Sequence, residues 1–235
     1  MTELVSEPHP DSGLPVGVRV DATPAQRPGP VTLEGRYGRV ERLDPQRHGL
    51  ALWEAVREDD TIWTYMSTYG PFVSEHEFLA WVASRVPLDD PYSYAVVEPS
   101  GRAVGIVTYM EIKPAHRCIE VGHIVYSPQL QRTPLATEAQ YLMAKHAFET
   151  LGYRRYEWKC NALNAPSRRA ALRYGFTFEG ILRQHMIAKG RNRDTAYYSM
   201  LDSEWPARKA AWERWLSPDN FDTEGRQKSR LNESL

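Results

Sequence analysis

The chain has 235 residues, 42% of them hydrophobic and 11% aromatic, enough to bury the core of one large domain or two small ones. Its formal net charge of −1 gives it no global electrostatic footprint for a nucleic acid or an anionic membrane. Two cysteines, Cys118 and Cys160, make no disulfide framework, and no apolar run reaches the roughly 20 residues of a bilayer span. Met1 to Pro8 lacks the basic region and apolar core of a signal peptide, so a soluble cytoplasmic protein is expected, with no membrane or nucleic-acid partner.

Residues 1–30 carry Pro8, Pro10, Pro15, Pro24, Pro28 and Pro30 with little apolar periodicity, as in an extended Pro-rich arm. Val16, Val18 and Val20 alternate like a short edge strand and offer a way to pack on the body. The folded domain is expected over 31–216. Val31–Leu33 and Tyr37–Leu43 read as strands flanking Glu34-Gly35. A helix follows over His48–Glu58 with Leu50, Trp53 and Val56 inward. A second begins at Ser74, which forms a capping-box pattern with Glu77 ahead of Phe78, Leu79, Val82 and Val86. The intervening stretch, Ile62 to Phe72, mixes Trp63, Tyr65 and Tyr69 with Ser67 and Thr68. It suits a wall facing a substrate, and equally a loop whose aromatics pack on the body.

Tyr92–Val97, Val104–Ile112 and Cys118–Tyr126 are the next strands, punctuated by Pro99-Ser100-Gly101 and Lys113-Pro114-Ala115-His116. The last of them runs through Leu130–Ala139 into a helix reaching about Leu151. Leu135, Ala139, Leu142, Met143 and Ala147 form its buried face, and Gly152 stops it. Arg154–Cys160 reads as a strand and Asn164–Tyr174 as a helix, with Asn164 as cap and Gly175 beyond its end. Phe176–Gln184 and Arg193–Leu201 are strands joined through Lys189-Gly190-Arg191-Asn192. Pro206–Leu216 is a short helix, and residues 217–235 form a polar tail expected to be loose. The order β-β-α-α-β-β-β-α-β-α-β-β, without internal repeats, is that of an α/β (α+β) domain rather than a doubly wound sheet.

The turn Gln131–Ala136 opens a helix directly after a strand. Free backbone N–H groups at the positive end of a helix dipole make such a turn a ready site for phosphate. Thr133, Ala136 and Thr137 keep the approach open and Arg132 offers charge. An ordinary strand-to-helix turn is the alternative. Cys160 has no evident base to activate it, and the histidines show no metal-ligand spacing, so no metal is expected. Tyr156-Glu157-Trp158 reads as core or as part of an acceptor wall. Gly190 with Arg191 and Arg193 reads as a charged hairpin, or as a contact for an acidic acceptor.

Three motifs in order carry a family resemblance. Gln131-Arg132-Thr133-Pro134-Leu135-Ala136 resembles the acyl-CoA pyrophosphate loop of the GNAT N-acyltransferase superfamily, Gln/Arg-x-x-Gly-x-Gly/Ala. It matches at Gln131 and Ala136 and departs at Pro134, which supplies no N–H. Asn164-x-x-Ser167 followed by Gly175-Phe176-x-x-Glu179-Gly180, and the strand Ile119-Glu120-Val121-Gly122-His123, resemble the RimJ/RimL-like branch. The element order from Val31 to Leu201 agrees.

The resemblance implies a mixed, mostly antiparallel sheet with splayed central strands, flanked by helices. It implies acetyl-CoA as acyl donor, wedged between Ile119–Tyr126 and Arg154–Cys160. The acceptor would be a small-molecule or peptide amine that attacks directly, without a covalent enzyme intermediate. Glu120 is the first choice for the base, His123 the second; strand alternation sets them on opposite faces unless a bulge intervenes. Tyr126 falls on the face of Glu120 by the same count. Ser167 stands in as the acid for the departing thiolate, because Ala171 occupies the position where many such enzymes carry a tyrosine. Tyr126, Gln131, Arg132, Thr133, Leu135, Ala136, Thr137, Asn164, Ser167 and Arg168 are the expected donor contacts, with Arg168 and Arg169 able to meet the 3′-phosphate. A non-catalytic acyl-CoA-binding or regulatory module is the alternative. So is another donor such as succinyl-CoA, for which Arg183 or His185 could supply the cation. The acceptor stays open, and Trp205, Trp212 and Trp215 could supply a homodimer interface.

Overall fold

The computed structural model describes residues 4–234. Beyond a small hairpin of β1 (Ser6–Pro8) and β2 (Pro15–Gly17), it is built on one eight-stranded sheet. The strands are β3 (Thr32–Glu34), β4 (Arg39–Arg42), β5 (Tyr92–Val97), β6 (Ala103–Lys113), β7 (Cys118–Tyr126), β8 (Arg155–Asn161), β9 (Thr177–Ala188) and β10 (Arg191–Leu201). Their order is β3-β4-β5-β6-β7-β8-β10-β9, and every neighbouring pair is antiparallel except β7 and β8.

Five α-helices flank the sheet: α1 (Pro45–Val56), α2 (Glu75–Arg85), α3 (Pro134–Lys145), α4 (Ala165–Arg173) and α5 (Trp205–Leu216). Four of them start on side-chain caps that satisfy first-turn N–H groups. Asp44 accepts from Gln46 and Arg47, Ser74 from Glu77, Thr133 from Ala136 and Asn164 from Ser167. A π-helical turn, His146–Thr150, continues α3, and Gly152, at φ +79°, follows where the chain turns back toward β8.

Two apolar clusters cover opposite faces of the sheet. Phe78, Val82, Leu52 and Val56 from α1 and α2 meet Ala95, Val97, Ile106 and Val125. On the other face α3, α4 and α5 meet Tyr94, Tyr109, Ile119, Val121, Tyr156 and Trp158. The alternation of β8 explains its division of labour. Tyr156, Trp158 and Cys160 enter the second cluster, while Arg155, Glu157, Lys159 and Asn161 line the first face.

Four expectations need correction. Leu50 is 53% exposed rather than inward, because α1 starts at Pro45 and its phase buries His48, Gly49, Leu52 and Val56. His48 takes the inner place because its Nε2 lies 2.7 Å from the buried carboxylate of Glu41. Val16, Val18 and Val20 stay exposed, and the arm is held instead by backbone bonds from Ala25 to Pro114 and from Gln26 to Leu151. The polar segment after Leu216 packs on the body through buried Asn220 and Leu231. Trp205, Trp212 and Trp215 are at most 5% exposed and belong to the core of this chain, so they offer no surface for a second copy. Among the described residues no helix is long and apolar enough to cross a membrane.

Candidate active site

The parallel pair β7 and β8 is in register from Cys118↔Arg155 to Val121↔Trp158 and then parts. β7 continues to Tyr126 and β8 to Asn161, so facing backbone edges are left open over the splay. A bulge marks the same point. Ile106 and Thr108 of β6 face Val125 and Gly122, which puts one extra residue on β7 at His123–Ile124. His123 has φ +46°, a left-handed conformation that costs a non-glycine residue energy and clusters at functional positions.

The bulge reverses the alternation beyond it. His123 packs edge-on against Tyr69, ring centroids 5.4 Å apart, on the same face as Glu120. Tyr126, expected on the face of Glu120, lies on the α3 side instead. Its hydroxyl accepts from Gln140 Nε2 at 2.8 Å and donates to the Ala136 carbonyl at 3.4 Å.

Glu120 is 4% exposed. Its Oε2 lies 3.0 Å from Lys159 Nζ, which is also 2.9 Å from Glu157 Oε2 and 4.9 Å over the Tyr197 ring. Burial pushes the Glu120 carboxyl up to about 7, against the pull of the Lys159 ammonium. Burial works against the Lys159 charge too, but two carboxylates outweigh it and hold Lys159 above the ordinary lysine range. His123 is pushed down to about 4, first by burial and then by the positive charges of Arg85 and Arg193. It is therefore neutral at pH 7, whereas Glu120 titrates there.

The loop after the short 3-10 turn Asp60–Trp63 roofs this floor. Tyr65 Oη donates to the Leu163 carbonyl at 3.2 Å, beside the end of β8. From the β9–β10 hairpin, Lys189 Nζ donates to the carbonyls of Trp63 and Gly70 at 2.9 and 2.6 Å, and Arg193 Nη1 donates to Ser67 Oγ. Trp63 and Phe72 pack on Phe78 and Trp81, so the loop is both a packed element and a wall of the site.

The turn ahead of α3 lies at the mouth of the splay. Arg132 has φ +64° and is exposed, and the N–H groups of Arg132 and Leu135 meet no acceptor among the described residues. Two open donors at a helix N-terminus fit a phosphate oxygen, with Arg132 and Gln131 on the outside. Gln131 is partly engaged, its Nε2 donating to the Tyr126 carbonyl at 3.0 Å. Thr133 is used as the cap, while Leu135 and Ala136 are buried in the core cluster. Thr137 is buried and accepts from Arg173 Nη1 at 3.1 Å. The buried Oε1 of Gln140 has no partner. Together these groups form a polar seam between α3 and α4.

At the start of α4, Asn164 Oδ1 accepts from the Ser167 N–H at 3.1 Å, and Ser167 Oγ accepts from Trp158 Nε1 at 3.0 Å. Arg168 is tied to Tyr198 Oη and the Ala162 carbonyl, whereas Arg169 is exposed. Ala171 is fully buried. Arg183 is exposed on β9, and the His185 ring Nδ1 lies 3.0 Å from Thr195 Oγ1. Lys159 and Arg85 belong to the site and escape a motif reading, while Glu157, expected in the core or an acceptor wall, joins them as a partner of Lys159. The charged alternation of Arg155, Glu157 and Lys159 opposite Glu120 is the signal that could have found Lys159. No group of three His, Cys, Asp or Glu among the described residues could hold a metal.

Comparison with known proteins agrees with this geometry. Residues 42–177, more than half the chain, match the family model described as acetyltransferase (GNAT) domain. A solved GCN5-related N-acetyltransferase from Brucella melitensis is 48% identical, covers 91% of this chain and 97% of its own, and superposes with a TM-score of 0.88. The uncharacterized N-acetyltransferase YoaA of Bacillus subtilis is 31% identical over 98 residues, 42% of this chain and 55% of its own. The ribosomal-protein-serine acetyltransferase of Escherichia coli is 26% identical over 102 residues, 43% of this chain and 56% of its own. The chain thus spans little more than half the length of the curated relatives it matches.

Proposed function

The chain belongs to the GNAT acetyltransferase family, with low-identity relatives of RimJ/RimL type, and from that premise we propose that it transfers an acetyl group from acetyl-CoA to an amine. The observation that carries the reading is the parting of β7 from β8 at a bulge, with a helix N-terminus bearing two open N–H donors at its mouth. Bound there, the donor would supply an activated thioester for an amine to attack.

The roles of this chain's residues follow from where they sit. Arg132 and Leu135 offer N–H groups to the pyrophosphate, with Gln131 and the Arg132 side chain beside it. Pro134 begins α3 with a fixed φ and leaves the cradle one donor short. The open edges of β7 and β8 bind the pantetheine amides, and the backbone N–H groups at the bulge polarise the carbonyl. Glu120 accepts the ammonium proton, directly or through water, so that a neutral amine attacks; titrating near pH 7 makes it suited to that task. Lys159 keeps a positive charge beside it. Ser167, oriented by the Trp158 indole, delivers a hydroxyl toward the thiolate. His123, held neutral, lines the acyl end.

Calorimetric titration with acetyl-CoA, followed by thiol release against an amine panel, tests this. Binding and turnover are expected. No binding at millimolar acetyl-CoA would overturn the reading, and binding with no turnover on any amine would leave a non-catalytic acyl-CoA-binding module.

A further inference from the structure

Beyond the last β8–β10 pair, Thr195↔Asn161, the chain of β10 carries Arg193 across the open end of the splay. Its guanidinium donates to Ser67 Oγ, and its Nε is buried without a partner. The charge is felt by His123, and so is that of Arg85, the last residue of α2. Neither arginine has a carboxylate within 4.0 Å among the described residues, although the rest of the site is densely ion-paired. Among the described residues the Arg85 guanidinium bonds only its neighbour Ser84. His123, which feels both charges, is neutral and supplies no compensating charge. A sheltered guanidinium normally finds a carboxylate or phosphate for its forked donors, since an unpaired sheltered charge is costly.

We propose that Arg193, assisted by Arg85, forms a carboxylate subsite at the acyl end of the splay. This rests on the acyl-transfer reading above and names its substrate class: one of the two reactants carries a carboxylate close to the reacting centre. The site is then polarised, with the carboxylate of Glu120 on the floor to meet an amine and the Arg193 guanidinium under the roof to meet an anion. Two sources fit that chemistry. One is an acceptor with a carboxylate near its amine, such as a free amino acid. The other is a dicarboxylic acyl donor. Arg183 and His185 are worse placed for either, the first exposed on β9 and the second bonded to Thr195.

The test has a binding arm and a turnover arm. In the first, acetyl-CoA and succinyl-CoA are titrated calorimetrically into the wild type, Arg193→Gln and Arg193→Lys. In the second, alanine, serine and phenylalanine are compared with their α-carboxamides, by titration into the CoA-loaded protein and by kcat/KM with acetyl-CoA. The wild type is expected to prefer the carboxylate-bearing member of one pair by at least about tenfold. Arg193→Gln should level that preference while sparing acetyl-CoA affinity, and Arg193→Lys should keep part of it. A preference confined to the first arm identifies the donor as its source, and one confined to the second identifies the acceptor. Equal affinities in both arms, or a preference that survives Arg193→Gln, overturn the subsite. If both variants misfold, the wild-type comparison still tests the subsite, because equal affinities there overturn it. Failure of acetyl-CoA to bind at all would strike the acyl-transfer reading instead.

Discussion

Glu120 is pulled two ways. Burial disfavours its charge and raises the carboxyl to about 7, while Lys159 at 3.0 Å limits the rise. A base must be ionised to accept a proton, so kcat/KM is expected to climb with pH through an apparent pKa near 7 and level off above it. Glu120→Gln should cut kcat by about a hundredfold or more and remove that limb. His123 makes the contrasting prediction, because its imidazole titrates near 4. His123→Asn, whose residue type tolerates the left-handed backbone at this bulge, should leave the limb near 7 in place. A pH–rate profile that loses its limb in His123→Asn and keeps it in Glu120→Gln would reverse the two assignments.

At the scale of the element, the start of α3 and the docking of α5 answer to different physics. The first turn of α3 carries the positive end of the helix dipole, toward the expected pyrophosphate. Pro134→Asp sets a like charge against that anion, and calorimetry should show acetyl-CoA affinity falling roughly tenfold or more. The fold should be little affected, since an acidic residue in a first helical turn is favourable by itself. Unchanged affinity would mean that the phosphates bind elsewhere. α5, by contrast, is held by burial. Trp212 is fully buried, packs at a tilt against the rings of Tyr141 and Tyr174, and its Nε1 donates to the Tyr174 carbonyl at 3.1 Å. Trp212→Ala should cost about 3–5 kcal/mol in urea unfolding, from lost contacts and an orphaned carbonyl. Such a loss would fit the core role of the tryptophans and not a role between copies.

Across the whole molecule, the elements legible in the sequence were those set by local rules. Strand periodicity located β5 and β7, and the side-chain caps located α2 and α4. What stayed hidden depends on pairing between distant segments. The bulge at His123 exists only because β6 and β7 differ by one residue in register, so alternation alone set Tyr126 on the wrong face. The Lys159–Glu120 pair arises from a parallel register that no single segment encodes. The same long-range packing leaves four oppositely shifted groups whose balance can be measured. Burial raises the carboxyls of Glu120 and Glu138, so the folded state gains protons over the unfolded chain and loses stability as pH rises toward 7. Burial lowers the imidazoles of His123 and His146, so the folded state resists protonation and loses stability as pH falls below about 6.5. Between pH 5 and 7 these slopes oppose in the wild type. Glu120→Gln removes one of the two rising-pH losses and leaves both histidines, with Glu157 still 2.9 Å from Lys159 to limit the disturbance. Its urea-unfolding free energy should therefore fall on acidification from pH 7 to 5, by about 1–3 kcal/mol relative to the wild type. Parallel pH profiles for the two proteins would show that Glu120 is not held protonated by the fold, and would remove the physical basis for its titration near neutrality.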